Sequence, residues 1–228
     1  MVAMHRRILD LPRVDHLEVD DAKQLLREAV REHRGRQPDT GRARAGLDIA
    51  RRVLPLLDGA RTVAHHVARP SEPPSLPTIE TLHETGVRIL LPALGPGLAR
   101  AWAVYRGTDD LAERAPGRPL EPSGAPLPSE TIAEADIVIV PALAVDRHGN
   151  RLGQGGGWYD RVLKLIGPET AVWAVLFDDE LVETTLPHGP QDVRVTGVVQ
   201  PSGTTSLLPP DDPYEATASG GTAPARGA

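Results

Sequence analysis

The segment EADIVIVPALAVDRHGNRLGQGGGWYDRVLKLI constrains the fold more than any other part of the chain. Its centre, residues 137–140, is four consecutive aliphatic side chains, the most apolar strand candidate present, and reads as buried on both faces. A glycine-rich turn follows, and the helical stretch WYDRVLKLI begins where that turn ends. A strand buried on both faces needs helices above and below it, so strand, tight turn and helix together point to an α/β sheet.

The remaining patterning agrees. DDAKQLLREAVREHR sets Ala22, Leu25, Leu26, Ala29 and Val30 on one helical stripe, with Asp21 and Gln24 spaced as a capping box and Gly35 as the exit. A second helix is expected from Arg44 toward Leu57, ending near Leu54 because Pro55 cannot continue it. ARTVAHHV reads as a short strand up to Val67, RPSEPPSLP as a loop stiffened by four prolines, residues 78–84 as a helix closed by Gly86, and VRILLP as the next strand. Trp102 to Tyr105, AVWAVLF and DVRVTGVV supply further strands, and residues 107–129 form a long Pro/Gly-rich connection. The expected architecture is α/β: a single three-layer domain with a mostly parallel central sheet flanked by helices. It spans residues 20–201, between an N-terminal arm (1–19) and a disordered C-terminal tail (202–228).

Composition narrows the chemistry. The chain has no cysteine, which excludes a disulfide scaffold, a thiolate nucleophile and cysteine-based metal sites. Residues 1–70 carry 14 basic and 10 acidic side chains, and the whole chain a net charge of −6. No basic run or aromatic-basic stripe accompanies that mildly positive front, so no nucleic-acid partner is expected. The longest apolar run falls short of a membrane span, the N-terminus lacks the apolar core of a secretion signal, and no apolar surface helix is left over. A cytoplasmic monomer without a membrane partner is expected.

The stretch DRHGNRLGQGGGWYD has the makings of an anion site. Backbone amides converging at a helix start attract phosphate, and Gly153, Gly155, Gly156 and Gly157 remove side chains that would block its approach. Arg151 adds a cation able to engage an oxyanion at two points. The spacing is neither a Walker loop nor a dinucleotide fingerprint. Asp146 and Asp160 flank the turn and are candidates for holding magnesium beside phosphates, although an aspartate in a first helical turn also simply complements the dipole. Lys23, Arg27 and Arg34 share one side of the first helix, as a cationic wall toward the loop or as an ordinary solvated face. Glu72 can recognise a substrate NH donor or be a plain exposed glutamate. Trp102, Trp158 and Tyr159 can stack on a heteroaromatic ring or serve as core.

VPALAVDRHGNRLGQGGGWYDRVL closely resembles the signature of the 5-formyltetrahydrofolate cyclo-ligase (methenyltetrahydrofolate synthetase) family, commonly V-P-G-L-A-F-D-x-x-G-x-R-L-G-x-G-x-G-Y-Y-D-R. KQLLREAVREHR is similar to that family's amino-terminal K-x-x-L-R-x-x-x-x-x-x-R helix. EPPSLPTIETL is similar to its E-x-x-T segment, with Ser75 where threonine is usual. The resemblance runs over about residues 20–201 and implies a single α/β domain. It also implies that Mg-ATP is used to convert 5-formyltetrahydrofolate into 5,10-methenyltetrahydrofolate, with release of ADP and phosphate. It further implies phosphorylation of the formyl oxygen and ring closure by N10. By the same resemblance Lys23, Arg27, Arg151 and the four glycine amides hold the triphosphate, with Trp158, Tyr159 and Asp160 beside them. Asp160 and Asp192 are the magnesium ligands the resemblance implies, and Asp146 stays a candidate from its place beside the turn. Glu72 is implied to contact the reduced folate near its formyl end, His66 and Trp102 are further candidates to face the folate from their own positions, and Arg151, Tyr159 and Glu72 are the expected catalytic set.

The sequence also departs from the family pattern. Gly189, Gln191, Thr196 and Gln200 replace a glutamate, a histidine, an aspartate and a threonine in a segment where Asp192 is kept. Gln154 stands at a position that is often tyrosine, and His66 near one. These changes leave a second reading: an ATP-binding paralogue that is non-catalytic or differently specific.

Overall fold

Strand β1 (Thr62–Ala64) lies third from one edge of a seven-stranded sheet that the alternating pattern builds outward in both directions. In chain order the other strands are β2 (Arg88–Leu94), β3 (Arg100–Val104), β4 (Ile137–Pro141), β5 (Ala171–Val175), β6 (Gly197–Gln200) and β7 (Gly203–Ser206). They are arranged β3-β2-β1-β4-β5-β6-β7, with β2, β1, β4, β5 and β6 parallel and the edge strands β3 and β7 antiparallel. The computed structural model describes residues 9–36, 38–114 and 117–207. The chain folds as a single α/β domain of three layers, as the sequence predicts. Among the described residues no helix is long and apolar enough to cross a membrane.

Alternation along the strands divides the core. On one face Val63, Ile89, Leu91, Ile139, Trp173 and Val199 meet helices α2 (Asp39–Val53) and α3 (Leu76–Glu84) through Ile49, Val53, Ile79 and Leu82. On the other, Ala64, Leu90, Val138, Val140, Val172 and Val198 pack beneath Ile132, Val162 and Leu163. The last two belong to the short helix α4 (Trp158–Val162) and its 3-10 extension. Helix α1 (Val19–Gly35) packs elsewhere. Its Ala22, Leu26 and Val30 cover a small sheet formed by residues 144–146, 151–152 and 181–182 at the carboxyl end of β4.

Several boundaries differ from the sequence reading. Helix α1 starts at Val19, Gln24 bonds Glu28 instead, and the Asp21 capping box is not formed. Helix α2 begins at Asp39, directly after Pro38, and Pro55 falls in a 3-10 turn (Leu54–Leu57) that tolerates it. Of the segment expected to be an N-terminal arm, Leu9 docks by donating its amide to Asp179 (2.8 Å), and Leu9 and Val14 are buried. The expected tail from 202 onward begins as strand β7, and its residues 208–228 lie outside the described residues. The long connection contains a short antiparallel pair, Leu111–Ala112 with Glu121–Pro122.

Candidate active site

Sheet order reverses between β1 and β4: from β1 the chain runs to β2 on one side and later to β4 on the other. In open α/β sheets the diverging loops at such a point leave a crevice at the strands' carboxyl ends. A cavity of about 710 Å³ opens there. Its wall includes His66 from the end of β1, Glu72 from the proline loop, Pro141 from the end of β4, and the glycine loop from Arg151 to Asp160.

Arg151 is 9 % exposed and pairs with Asp160, while its guanidinium carbon lies 5.9 Å from the Tyr159 ring centre. Tyr159 stacks edge-to-face on Trp158, and Trp158 on Trp102, both with centroids 4.8 Å apart. Two atoms here have no partner: Arg151 Nε and the Tyr159 hydroxyl, both buried. Burial, reinforced by the charge of Glu72 and opposed by Arg151, raises the phenol pKa far enough to keep Tyr159 protonated. It therefore presents an O–H donor to whatever enters.

Helix α1 grips the loop from behind. Arg27 donates from Nε to the Gly153 carbonyl (2.9 Å), and Arg31 donates to the Gln154 carbonyl (3.0 Å) and side-chain oxygen (3.1 Å). Burial and the neighbouring charge of Arg31 lower the Arg27 pKa. Gly155 sits at φ +100°, so the backbone demands glycine, and a Cβ there would crowd the Arg27 guanidinium carbon at 3.3 Å. Gln154 also donates to Glu72 (2.8 Å), linking loop, helix and proline segment. The other Glu72 oxygen accepts the Arg69 amide (2.8 Å), and Ser75 Oγ accepts the Ala68 amide (2.9 Å). That fixes a carboxylate only 3 % exposed at the cavity wall.

The other residues singled out from the sequence divide. His66, Trp158 and Asp160 line the cavity, together with the amides of residues 153 and 155–157. Lys23 and Asp192 are ion-paired to each other outside that lining. For Asp192, burial alone would raise the pKa, but Lys23, the Gly189 amide (2.7 Å) and Arg151 together bring it below the usual range. Trp102 is a correction: it is fully buried, donates to the Ser129 carbonyl (3.2 Å), and braces Trp158 rather than facing the cavity. Asp146 is another. It is fully buried and accepts from the amides of His148, Asn150 and Leu186 (each 2.9 Å) and from Asn150 Nδ2 (2.8 Å), which spends its oxygens on the turn. Arg34 leaves the expected cationic wall as well. With no exposed surface, it forms a two-point pair with Glu180 (2.6 and 2.8 Å) and caps the Ala142 carbonyl (2.7 Å).

Sequence reasoning missed Arg69, Arg100, Arg118 and Glu121, which complete the outer rim. They come from the proline loop, the start of β3 and the connection after it, with no local motif. Gln154 and Arg31 carried a signal, one as a departure from a pattern and the other by helical spacing.

Among the described residues no three His, Asp or Glu side chains converge as a metal cage. The donor set instead suits a hard cation held mainly by phosphate oxygens, with the partly exposed Asp160 carboxylate at hand. The substituted segment is used structurally. Thr196 Oγ1 accepts the Val172 amide and donates to its carbonyl (both 2.9 Å), and Gln200 donates to the carbonyls of Phe177 (3.1 Å) and Asp178 (3.0 Å).

The chain is similar to several known proteins. The 5-formyltetrahydrofolate cyclo-ligase of Mycolicibacterium smegmatis is 41% identical over 186 residues, covering 79% of this chain and 94% of that protein. The Escherichia coli cyclo-ligase is 32% identical over 162 residues, covering 69% and 88%. The solved 5,10-methenyltetrahydrofolate synthetase of Aquifex aeolicus shares the fold, with a TM-score of 0.68 at 24% identity, over 81% of this chain and 92% of that one. Residues 19–201 match the model of the 5-formyltetrahydrofolate cyclo-ligase family, and the chain is an enzyme belonging to that family.

Proposed function

We propose that the protein converts 5-formyltetrahydrofolate to 5,10-methenyltetrahydrofolate at the expense of ATP, releasing ADP and phosphate, and that it works as a cytoplasmic monomer. One observation carries the reading. The phosphate-type glycine loop and the Glu72 carboxylate, joined through Gln154 (2.8 Å), line one cavity together with the buried, unpartnered Arg151 Nε and Tyr159 hydroxyl.

In this reading the amides of residues 153 and 155–157, with Arg151, cradle the triphosphate, and Arg27 holds the loop that presents them. Lys23 and Asp192 lie behind, as a charge pair that ATP binding can reorganise. Asp160 would hold a phosphate-borne magnesium ion, which would shield charge on the transferring phosphoryl group. Glu72 orients the folate through an N–H donor. Tyr159 donates its proton to an oxygen near the formyl group. An amide oxygen is a poor leaving group, so it is first phosphorylated, and N10 then closes the ring as phosphate departs. No side chain need act as nucleophile, and the acceleration rests on alignment and on cations placed where charge develops.

The test is a paired assay of methenyl absorbance and ADP release with 5-formyltetrahydrofolate, Mg²⁺ and ATP. Controls lack nucleotide or protein. Equal rates of both products, requiring ATP and protein, are expected. ADP release without methenyl product would assign the site to another substrate.

A further inference from the structure

Four buried polar atoms without a partner belong to residues on the cavity wall: His66 Nε2, Arg100 Nε, Arg151 Nε and the Tyr159 hydroxyl. Three are donors. The Tyr159 hydroxyl can accept as well as donate, but of the four His66 Nε2 alone can accept while carrying no hydrogen of its own, and its neighbours put it in that state. The other ring nitrogen, Nδ1, faces the Ile139 carbonyl at 3.5 Å, and a carbonyl offers no proton, so the ring carries its hydrogen on Nδ1. Nε2 is left with an unshared pair in a wall position that is 3 % exposed. The residue follows β1 at the point where sheet order reverses, on the same cavity as Glu72 and the glycine loop. His65 stacks against it at 5.0 Å. Burial drives both rings toward neutrality, His65 to about 3 and His66 to about 4, so neither arrives charged at neutral pH.

We propose that His66 is the proton shuttle of ring closure, accepting the N10 proton of the folate at Nε2 and returning it to the departing phosphate. The proposal rests on the cyclo-ligase reading above. Its chemistry follows from balance. Once the formyl oxygen is phosphorylated, the N10 lone pair forms the new bond to carbon and the carbon–N5 π pair returns to N5. N10 then carries both a positive charge and its original hydrogen. His66 takes that proton, becoming imidazolium. The carbon–oxygen bond breaks next, its electron pair leaving with the phosphoryl oxygen, while the N10 lone pair completes the methenyl amidinium. Unassisted, the leaving group would depart as the phosphate trianion. With the proton from His66 it leaves as hydrogen phosphate, and the imidazole is again neutral. A weakly basic imidazole suits both halves, because an arylamine nitrogen made cationic is a strong acid and the proton must be given up again.

The experiment separates phosphoryl transfer from ring closure. In ATP labelled with ¹⁸O at the β–γ bridge, scrambling that depends on 5-formyltetrahydrofolate reports the first step, and methenyl absorbance reports the second. His66→Gln is expected to lower methenyl formation by on the order of 10²-fold while scrambling continues near the wild-type rate. His66→Ala is expected to recover methenyl formation when imidazole is added. Unchanged methenyl formation in His66→Gln, or scrambling that falls in step with it, overturns the shuttle. If the glutamine variant loses its fold by circular dichroism, imidazole rescue of the alanine variant decides: recovery supports the shuttle and its absence overturns it. A wild-type chain with no methenyl formation overturns the cyclo-ligase reading and the shuttle together, an outcome distinct from failure in the variants alone.

Discussion

At the leading end of the glycine loop Asp146 is fully buried and accepts four hydrogen bonds, whereas at the trailing end Asp160 is partly exposed and holds only Arg151. The glycines differ in the same way. Gly149, at φ +81°, lies so close to the Val195 carbonyl that a Cβ would stand 2.5 Å from it, and its own carbonyl accepts the Val195 amide (2.9 Å). Gly156, at the trailing end, has nothing within 4 Å of where a Cβ would be. One end is closed on protein partners and holds the turn. The other keeps unpartnered atoms and open space against the cavity, which is the condition for binding something else. The lesson is that motif membership does not assign a role; hydrogen-bond accounting within the motif does.

The contrast can be broken most directly at Asp146. Asp146→Ala strands four donors, three of them buried, at ~1–3 kcal/mol for each that finds no water, so a loss of about 3 kcal/mol or more is expected in urea unfolding. Molecules that remain folded should keep their ATP affinity. A normal unfolding midpoint with lost ATP binding would move Asp146 to the ligand side.

A smaller effect is expected at Gln154, which engages the Glu72 carboxylate and Arg31 and so competes for the groups a substrate would meet. Removing one hydrogen-bonded competitor is worth about 1 kcal/mol, so Gln154→Ala should lower the KM for 5-formyltetrahydrofolate roughly fivefold with little change in kcat. A raised KM would make the Gln154 amide itself a substrate contact.

The smallest effect concerns pH. Asp192 has a folded pKa below its unfolded value, so its stabilising contribution is complete above the ordinary aspartate range and disappears as pH falls through the lower, folded value. Asp192→Asn should flatten that acid limb of stability. With a partly exposed pair screened by solvent, the difference should be below about 1 kcal/mol. An unchanged acid limb would mean that the pair with Lys23 does not carry it.

Much of this was legible beforehand because it is local. The sheet strands, the helix stripe of Ala22, Leu26 and Val30, and the glycine turn all depend on periodicity or on backbone requirements that a short window contains. The misreadings share one cause, which is partners distant in sequence. Arg27 and Arg34 lie seven residues apart on one helix side, yet Arg34 is buried because Glu180 and the Ala142 carbonyl meet it there. Trp102 looked like a stacking surface until Trp158 and the Ser129 carbonyl enclosed it. Asp146 has the position of a metal ligand beside the turn, but the amides of His148, Asn150 and Leu186 and the Asn150 side chain take its oxygens. The rim arginines 69, 100 and 118 have no spacing to betray them, since the proline loop, the start of β3 and the connection after it bring them to one opening.

The central claim is that the trailing end of the loop is held for phosphate, and calorimetric titration of ATP into Arg151→Ala tests it most directly. The account predicts a native circular dichroism spectrum and an ATP affinity at least ~10-fold weaker, from losing a charge-assisted contact of ~1.5–3 kcal/mol. Unchanged ATP affinity in the folded variant would contradict it, and would take Arg151 and the glycine amides beside it out of the nucleotide site.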